Sequence, residues 1–458
     1  MAKKSEHAAP DARRQSRAVW SVALSLLALA MIGPVLFLAI YDGPAPEDGI
    51  LTPDWTTLLK GTDPSPLATL IDAVSLPRDP SYEPSRMLMP LTSAQQQFLE
   101  DHSSVFIAVG ALLNTDPAIW IWPDAGLPQD FTMYLGSPLQ FSVLERFLER
   151  RIEFHLNANR PDLAIADCLK MAQLGSHLSR VKGNLWRIKQ TLELQSHAEL
   201  ALEALLTQAG VSESQIQACL TALLALHGPD RETLRFDIQV QHQLFKQLIS
   251  NRSDQDTFFR SNYPGSRPEF ASEIKPNFCL STWFTRVLPI YEGLAVDWKT
   301  GLAAAQKNYI GQPTWVESVR QTLTLNRLGA NLTQQAIGQL CSTLQDVMDH
   351  ATLHDVVIQM LALRLYELRH GHLPARLEEL TPGILPALPP DTYSGVSYHW
   401  NPTTQALYSA GPDGTDNHGD IDHVSPTPTS RGGIRLLCKD LGQYYWWSEA
   451  ARKSRDDH

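Results

Sequence analysis

"RIEFHLNANRPDLAIADCLKMAQLGSHL", residues 151–178, carries the clearest structural signal in the chain. Apolar residues recur every three or four positions on both sides of an Asn-rich turn, the spacing of amphipathic helices. Pro161 stands just after the turn, at a first-turn position where its missing N–H leaves no hydrogen bond unmade. A helical hairpin is therefore predicted, and the same periodicity extends outward from it. It predicts helices near 92–113, 138–158, 161–178, 185–209, 213–226 and 230–250, with further helical stretches near 313–327, 331–349 and 355–370. The last of these, "DVVIQMLALRLYELRH", is expected to end at Gly371 as a C-terminal cap, with Pro374 soon after. Between them, "SNYPGSRPEFASEIKPNFCLSTW" (261–283) is dense in Pro, Gly and aromatics and reads as a crossover loop or a subdomain boundary. The expected fold class is mainly α.

The hairpin at 151–178 resembles one tetratricopeptide unit, with Ala164 and Ala166 as small packing positions, but no second copy follows at a fixed period. An irregular helical bundle is the reading preferred, with a solenoid-like stack as the alternative.

From Ala18 to Tyr41, "AVWSVALSLLALAMIGPVLFLAIY" contains no charged residue. At helical rise this covers a bilayer core of roughly 30 Å. Trp20 and Tyr41 sit at its two ends, where amphipathic rings favour the headgroup region, and Pro34 is tolerable as a kink. Lys3, Lys4, Arg13, Arg14 and Arg17 precede the segment, whereas Asp42, Glu47, Asp48 and Asp54 follow it. The positive-inside rule then predicts a single-pass protein of the bacterial inner membrane, with a cytoplasmic N-terminus and the bulk of the chain periplasmic. A cleaved signal peptide is the competing reading, but its apolar core would be shorter and would end in a small-x-small site, which "FLAIYDG" lacks. Residues 42–65, rich in Pro, Gly, Asp and Thr, read as a linker. The expected organisation is a basic tail over 1–17, the membrane helix over 18–41, the linker over 42–65, a helical exported domain over 66–350, a small module over 351–424 and a C-terminal tail over 425–458.

The formal charge of −11 over 458 residues, with no basic run beyond the N-terminus, argues against nucleic acid as a partner. The five cysteines, Cys168, Cys219, Cys279, Cys341 and Cys438, are far apart and form no Cys-x-x-Cys pair. Buried free thiols are expected, with one long-range disulfide as the alternative in an oxidising compartment.

The C-terminal module reads as helix, loop and β-hairpin followed by an acidic loop. Val396, Tyr398 and Trp400 alternate, Asn401-Pro402 supplies a turn, and Ala406 to Ser409 return as a second strand. The loop that follows, "GPDGTDNHGDIDHV", concentrates aspartates without a lysine or arginine to neutralise them. Calcium takes six to eight oxygens in irregular geometry, which suits carboxylates, Asn417 and carbonyls bent near glycines. The loop lacks the spacing of an EF-hand. A solvated acidic turn is the alternative. His418 and His423 flank the loop, and a transition metal could use them.

The order "LYELRHGHLP", "LEEL", "LPPDTYSG", hairpin and "LYSAGPDG" resembles the globular part of the major pseudopilin of type II secretion, over some sixty residues. That resemblance implies a calcium loop with Asp413 and Asp420 as ligands and Asp416 and Asp422 as further candidates. The spacing after "GPDG" differs from the family, and "RQSRAVWSV" stands where pseudopilins carry a processing site, so assembly into a pseudopilus is not expected. "LAIADCLKMAQLGSHLSR" and "LWRIKQTLELQSHAELALEALL", taken with this tail, resemble a group of uncharacterised single-pass proteins of planctomycete-type bacteria, a likeness that implies no activity.

The chain carries no Gly-x-Ser-x-Gly elbow, His-Glu-x-x-His pair, phosphate loop or dinucleotide fingerprint. The function expected is a structural or protein-interaction role in the cell envelope, with an unidentified envelope protein as partner and no catalytic residues assigned. The alternative is a metal-dependent glycosyltransferase or another envelope enzyme, resting on the Asp-x-Asp of Asp420-Ile421-Asp422; no alternation of strands and helices supports a nucleotide fold. "QYYWW", Gln443 to Trp447, reads as packing or an interface anchor, with a sugar-stacking site as the weaker alternative.

Overall fold

A computed structural model describes residues 42–47, 49–53, 61–74, 91–120, 138–182, 185–206, 211–251, 274–308, 326–411, 416, 418, 421–423 and 440–444. The expected membrane helix over 18–41 and the stretch 313–325 lie outside these residues. Among the described residues, no helix is long and apolar enough to cross a membrane.

The described part is mainly α, with eleven α-helices. They are α1 (Ser65–Val74), α2 (Ser93–Asp101), α3 (Ser104–Leu113), α4 (Pro138–Asn157), α5 (Pro161–Ser179), α6 (Leu185–Leu206), α7 (Glu213–Leu224), α8 (Arg231–Ser250), α9 (Pro276–Val296), α10 (Trp298–Asn308) and α11 (Arg327–His370). Four strands follow: β1 (His399–Asn401), β2 (Ala406–Ser409), β3 (Ile421–His423) and β4 (Asp440–Tyr444). The chain divides into two compact units. The described residues of the smaller are 42–47, 246–251, 274–285 and 326–335, so α8, α9 and α11 contribute residues to both units.

In the larger unit, α4 and α5 form the predicted hairpin. Asn159 takes a left-handed φ of 53° in the turn, and Pro161 opens α5. Arg151 of α4 donates from Nε to Asp167 Oδ2 of α5 at 2.7 Å, so an ion pair ties the two helices in addition to their apolar seam. Helix α6 then lies unusually close to α5. A Cβ at Gly175 would stand 2.7 Å from the backbone nitrogen of Gln195 and 2.8 Å from the carbonyl oxygen of Thr191, so only glycine admits this crossing. Helices α2 and α7 start with reciprocal caps. Thr92 Oγ1 accepts from the Gln95 N–H while the Gln95 side chain accepts from the Thr92 N–H, and Ser212 and Gln215 repeat the exchange. The helix expected over 92–113 is two helices, because the chain turns at His102, whose ring nitrogen bonds the Phe98 carbonyl at 2.8 Å.

Three other expectations need correction. The stretch read as loop to residue 283 contains the start of α9. Pro276 takes the first position of that helix, where its missing N–H costs nothing, and Trp283 is wholly buried in the smaller unit. The two helices expected at 331–349 and 355–370 are one continuous α11, since the polar run between them points into the larger unit and finds partners there. The linker is also more engaged than its composition implies. In the smaller unit, the Asp42 carboxylate accepts from the backbone N–H groups of Asn277 and Phe278, each at 3.2 Å, and so caps the first turn of α9. In the larger unit Leu51 is fully buried, and Gln239 donates to the Ile50 carbonyl at 3.0 Å.

Helix α11 ends as predicted. Gly371 has a φ of 77°, and its N–H bonds the Glu367 carbonyl at 2.8 Å. "LEEL" (377–380) forms a single 3-10 turn that buries Leu377 and Leu380. The predicted hairpin follows as β1 and β2, antiparallel, with Trp400 opposite Leu407. Asn401 Oδ1 accepts from the N–H groups of Thr403 and Thr404 at 3.0 and 3.2 Å, closing the turn. The sheet order is β1-β2-β4-β3; β4, drawn from the stretch expected as a tail, pairs antiparallel with β2 and parallel with β3.

Candidate metal centre

Of the four aspartates expected to hold calcium, Asp413 and Asp420 lie outside the described residues. Asp422 sits in the middle of β3, in register with Leu441 of β4. Asp416 is 37% exposed and already engaged: its Oδ1 accepts from the His418 N–H at 2.7 Å and from the Tyr408 hydroxyl at 3.3 Å. His399 Nδ1 stands 3.8 Å from Asp416 Oδ2, and His418 takes a left-handed φ of 61°. The His418 ring is 92% exposed, so it is held near the carboxylate by little besides its backbone.

A second group of donors lies in the helical part of the larger unit. Glu145 and Glu149, one turn apart on α4, face His197 of α6. Their oxygens and the His197 Nδ1 lie within 4.8 Å of one another. His197 Nδ1 touches Glu145 Oε1 directly and stands 3.3 Å from Glu149 Oε1. Burial works against the imidazolium, but hydrogen bonds to Glu145 and Glu149 and their charges outweigh it and push the His197 pKa up to about 10. One turn earlier on α6, burial first and then the Glu145 charge push Glu193 up to about 7; Lys189 acts in the opposite direction. Lys189 in turn pairs with Asp346 of α11 at 3.2 Å. Two carboxylates and one imidazole make a donor set suited to zinc or another transition ion, with room for a further ligand. Without an ion, the imidazolium offsets the charge of one of the two carboxylates, and a metal would have to displace a proton from His197.

A third group fills the space between α6, α11 and the C-terminal module. Glu199 of α6 is 0% exposed; its Oε1 accepts from Gln195 Nε2 and from His354 Nδ1, both at 2.7 Å. Burial disfavours both charges, and their mutual attraction prevails: Glu199 is held below the usual carboxylate range and His354 above the usual imidazole range. His350, one turn before His354, is pushed down to about 4, chiefly by burial and further by the His354 charge, so it stays neutral. Asp355 Oδ2 accepts from the Tyr398 hydroxyl at 3.0 Å and from the Thr392 hydroxyl at 3.5 Å. The Tyr393 hydroxyl donates to Asp349 and accepts from Gln345, and Ser409 donates to Asp391 at 2.7 Å. The Trp400 indole donates to the Pro374 carbonyl at 3.1 Å.

Sequence reasoning missed the second and third groups. Its available signal was the four-residue spacing of Glu145 with Glu149 and of Glu193 with His197, each pair on one face of a predicted helix; His350 and His354 carry the same spacing but fall between the helices expected at 331–349 and 355–370. Four cysteines, Cys168, Cys219, Cys279 and Cys341, are free and buried, as expected; Cys438 lies outside the described residues.

No protein family model, curated protein or solved structure matches this chain. The likenesses to the pseudopilin and to the single-pass planctomycete-type proteins therefore rest on the quoted motifs alone.

Proposed function

We propose that this chain is a single-pass, membrane-anchored protein of the bacterial envelope with a structural or protein-binding role, and that its C-terminal module is steadied by calcium held by Asp413 and Asp420, with Asp416 and Asp422 close by. The anchor rests on the uncharged stretch Ala18–Tyr41 and its flanking charges. The observation that carries the structural role is the way the module joins α11. Hydroxyls of Tyr393 and Tyr398 are spent on Asp349 and Asp355, so the titratable groups at that junction serve cohesion.

The test uses the full-length protein in detergent, unfolded thermally in EDTA and again after calcium, magnesium or zinc is added back. A calcium-specific rise in melting temperature that disappears in Asp413→Ala and Asp420→Ala supports the loop site, because a ligand bound only by the folded state stabilises it by mass action. A zinc-specific rise lost in His197→Gln places the ion between α4 and α6 instead. No rise with any of the three ions returns the loop aspartates to a solvated turn. Protease added to spheroplasts checks the orientation: digestion of the chain beyond residue 42 is expected, and full protection would overturn it.

A further inference from the structure

We propose that the C-terminal module is held to helix α11 by a proton-sensitive clasp centred on Asp355, one that tightens on mild acidification and loosens as the pH rises toward neutrality. The clasp is built from three elements. Helix α11 supplies Asp355, the module supplies the hydroxyls of Tyr398 and Thr392, and α6 supplies Glu199, paired through His354 next to Asp355. Tyr398 is buried and donates its hydroxyl to the Asp355 carboxylate, so the docked module covers much of a side chain that is itself half-buried. The titratable groups facing it are Glu199 from α6, His354 from its own helix and Tyr398 from the module; Asp391 acts in turn on Tyr398.

The sign follows from which state binds the proton more tightly. With the module docked, burial raises the Asp355 carboxyl from 3.8 to about 6; His354, Tyr398 and Thr392 oppose the rise and Glu199 adds to it. Release of the module returns the group to water and toward its ordinary value. The docked state therefore takes up a proton between those two values, and the docking equilibrium weakens by about tenfold from pH 5 to pH 8. The mutual attraction of Glu199 and His354 lowers Glu199 and raises His354 from their ordinary values, and both act on Asp355 as it titrates.

The experiment is hydrogen–deuterium exchange on the full-length protein in detergent at pH 5, 6, 7 and 8, corrected for intrinsic rates, and read at the amides of residues 398–409. Protection in this segment is expected to fall about tenfold across the series. In Asp355→Asn, which still accepts the Tyr398 hydrogen bond but cannot titrate, the fall should vanish. In Tyr398→Phe, which removes a group that lowers the Asp355 pKa, the midpoint should move to higher pH. A wild-type profile independent of pH overturns the proposal, and that reading needs no variant to fold. The same slope in Asp355→Asn as in wild type overturns it as well.

Discussion

The loop around Asp416 and the interior between α4, α6 and α11 contain the same chemical groups, carboxylates and imidazoles, in opposite surroundings. In the loop the charges are neighbours in sequence, and the described carboxylate is open to water and engaged with an adjacent backbone amide. In the interior the partners are far apart in sequence, Glu199 with His354 and Glu145 with His197, and the helices bring them together, the first pair around a fully buried carboxylate and the second half-buried. Solvent decides how strongly such groups couple. In water two charges a few ångströms apart interact by about 1 kcal/mol, and inside the protein by several times that. Acidic density in the sequence is therefore a poor guide to where electrostatics shapes the fold.

The sharpest way to break that comparison is to remove one half of the buried pair. His354→Ala leaves Glu199 buried at 0% exposure with its counter-ion gone. Removing one partner of a buried ion pair costs about 3–5 kcal/mol, because the other charge stays uncompensated. Urea unfolding of the full chain at pH 7 should show the midpoint fall accordingly. A loss below about 1 kcal/mol would mean that water reaches Glu199 and that interior and loop differ little.

Glu193 tests the same point through pH. Its carboxyl lies at about 7 in the folded protein against an ordinary 4.5, so the native state holds the proton more tightly than the unfolded chain does. Stability from this group is present at low pH and is lost as the pH rises from 4.5 through 7. Glu193→Gln removes the titration and should stabilise the protein by about 1–3 kcal/mol at pH 8, with little change at pH 4.5. Equal effects at both pH values would show that the substitution acts through packing. His350 runs the other way. Its depressed value of about 4 means that stability present above 6.5 is lost as the pH falls toward 4, so the wild type should be weakened on both flanks of a mildly acidic optimum.

Asp42 offers an intermediate case, a charge spent on backbone amides at the start of α9. Asp42→Ala leaves the N–H groups of Asn277 and Phe278 without this acceptor and should cost about 1 kcal/mol, the usual worth of a helix cap. Asp42→Asn, which retains an acceptor, should recover most of the loss in the same melting assay.

The residues that were legible in the sequence are those whose fate is local. The α4–α5 turn was readable because Asn159 and Pro161 act within their own few residues, and the end of α11 because Gly371 caps its own helix. The hairpin was readable from its alternation and its Asn-Pro turn. Helix α9 was hidden because Pro276 and Pro289 and its aromatics are breakers in isolation; Pro276 is harmless at a helix start, and Trp283 is core once buried. The run Asp349 to Asp355 looked like a break in α11 because its partners, Glu199, Tyr393 and Tyr398, lie up to 155 positions away. The donors of the candidate metal centre escaped for the same reason: four-residue spacing places Glu145 beside Glu149, but only the packing of α4 on α6 brings in His197.

The smallest expected effect is the one that most sharpens the comparison. Asp416→Asn removes a charge from the loop but keeps the oxygen that accepts from the His418 N–H, so the left-handed turn at His418 loses no hydrogen bond. At 37% exposure the lost charge is replaced by water at little cost. Without added cation the melting midpoint should stay within the equivalent of about 0.5 kcal/mol of wild type. With calcium, the variant should show a smaller rise than wild type, since one fewer carboxylate remains near the ion. A loss of 2 kcal/mol or so in EDTA would be the size expected of a buried group. It would place Asp416 with Glu199 and His354, and the division between an open loop and a closed interior would no longer hold.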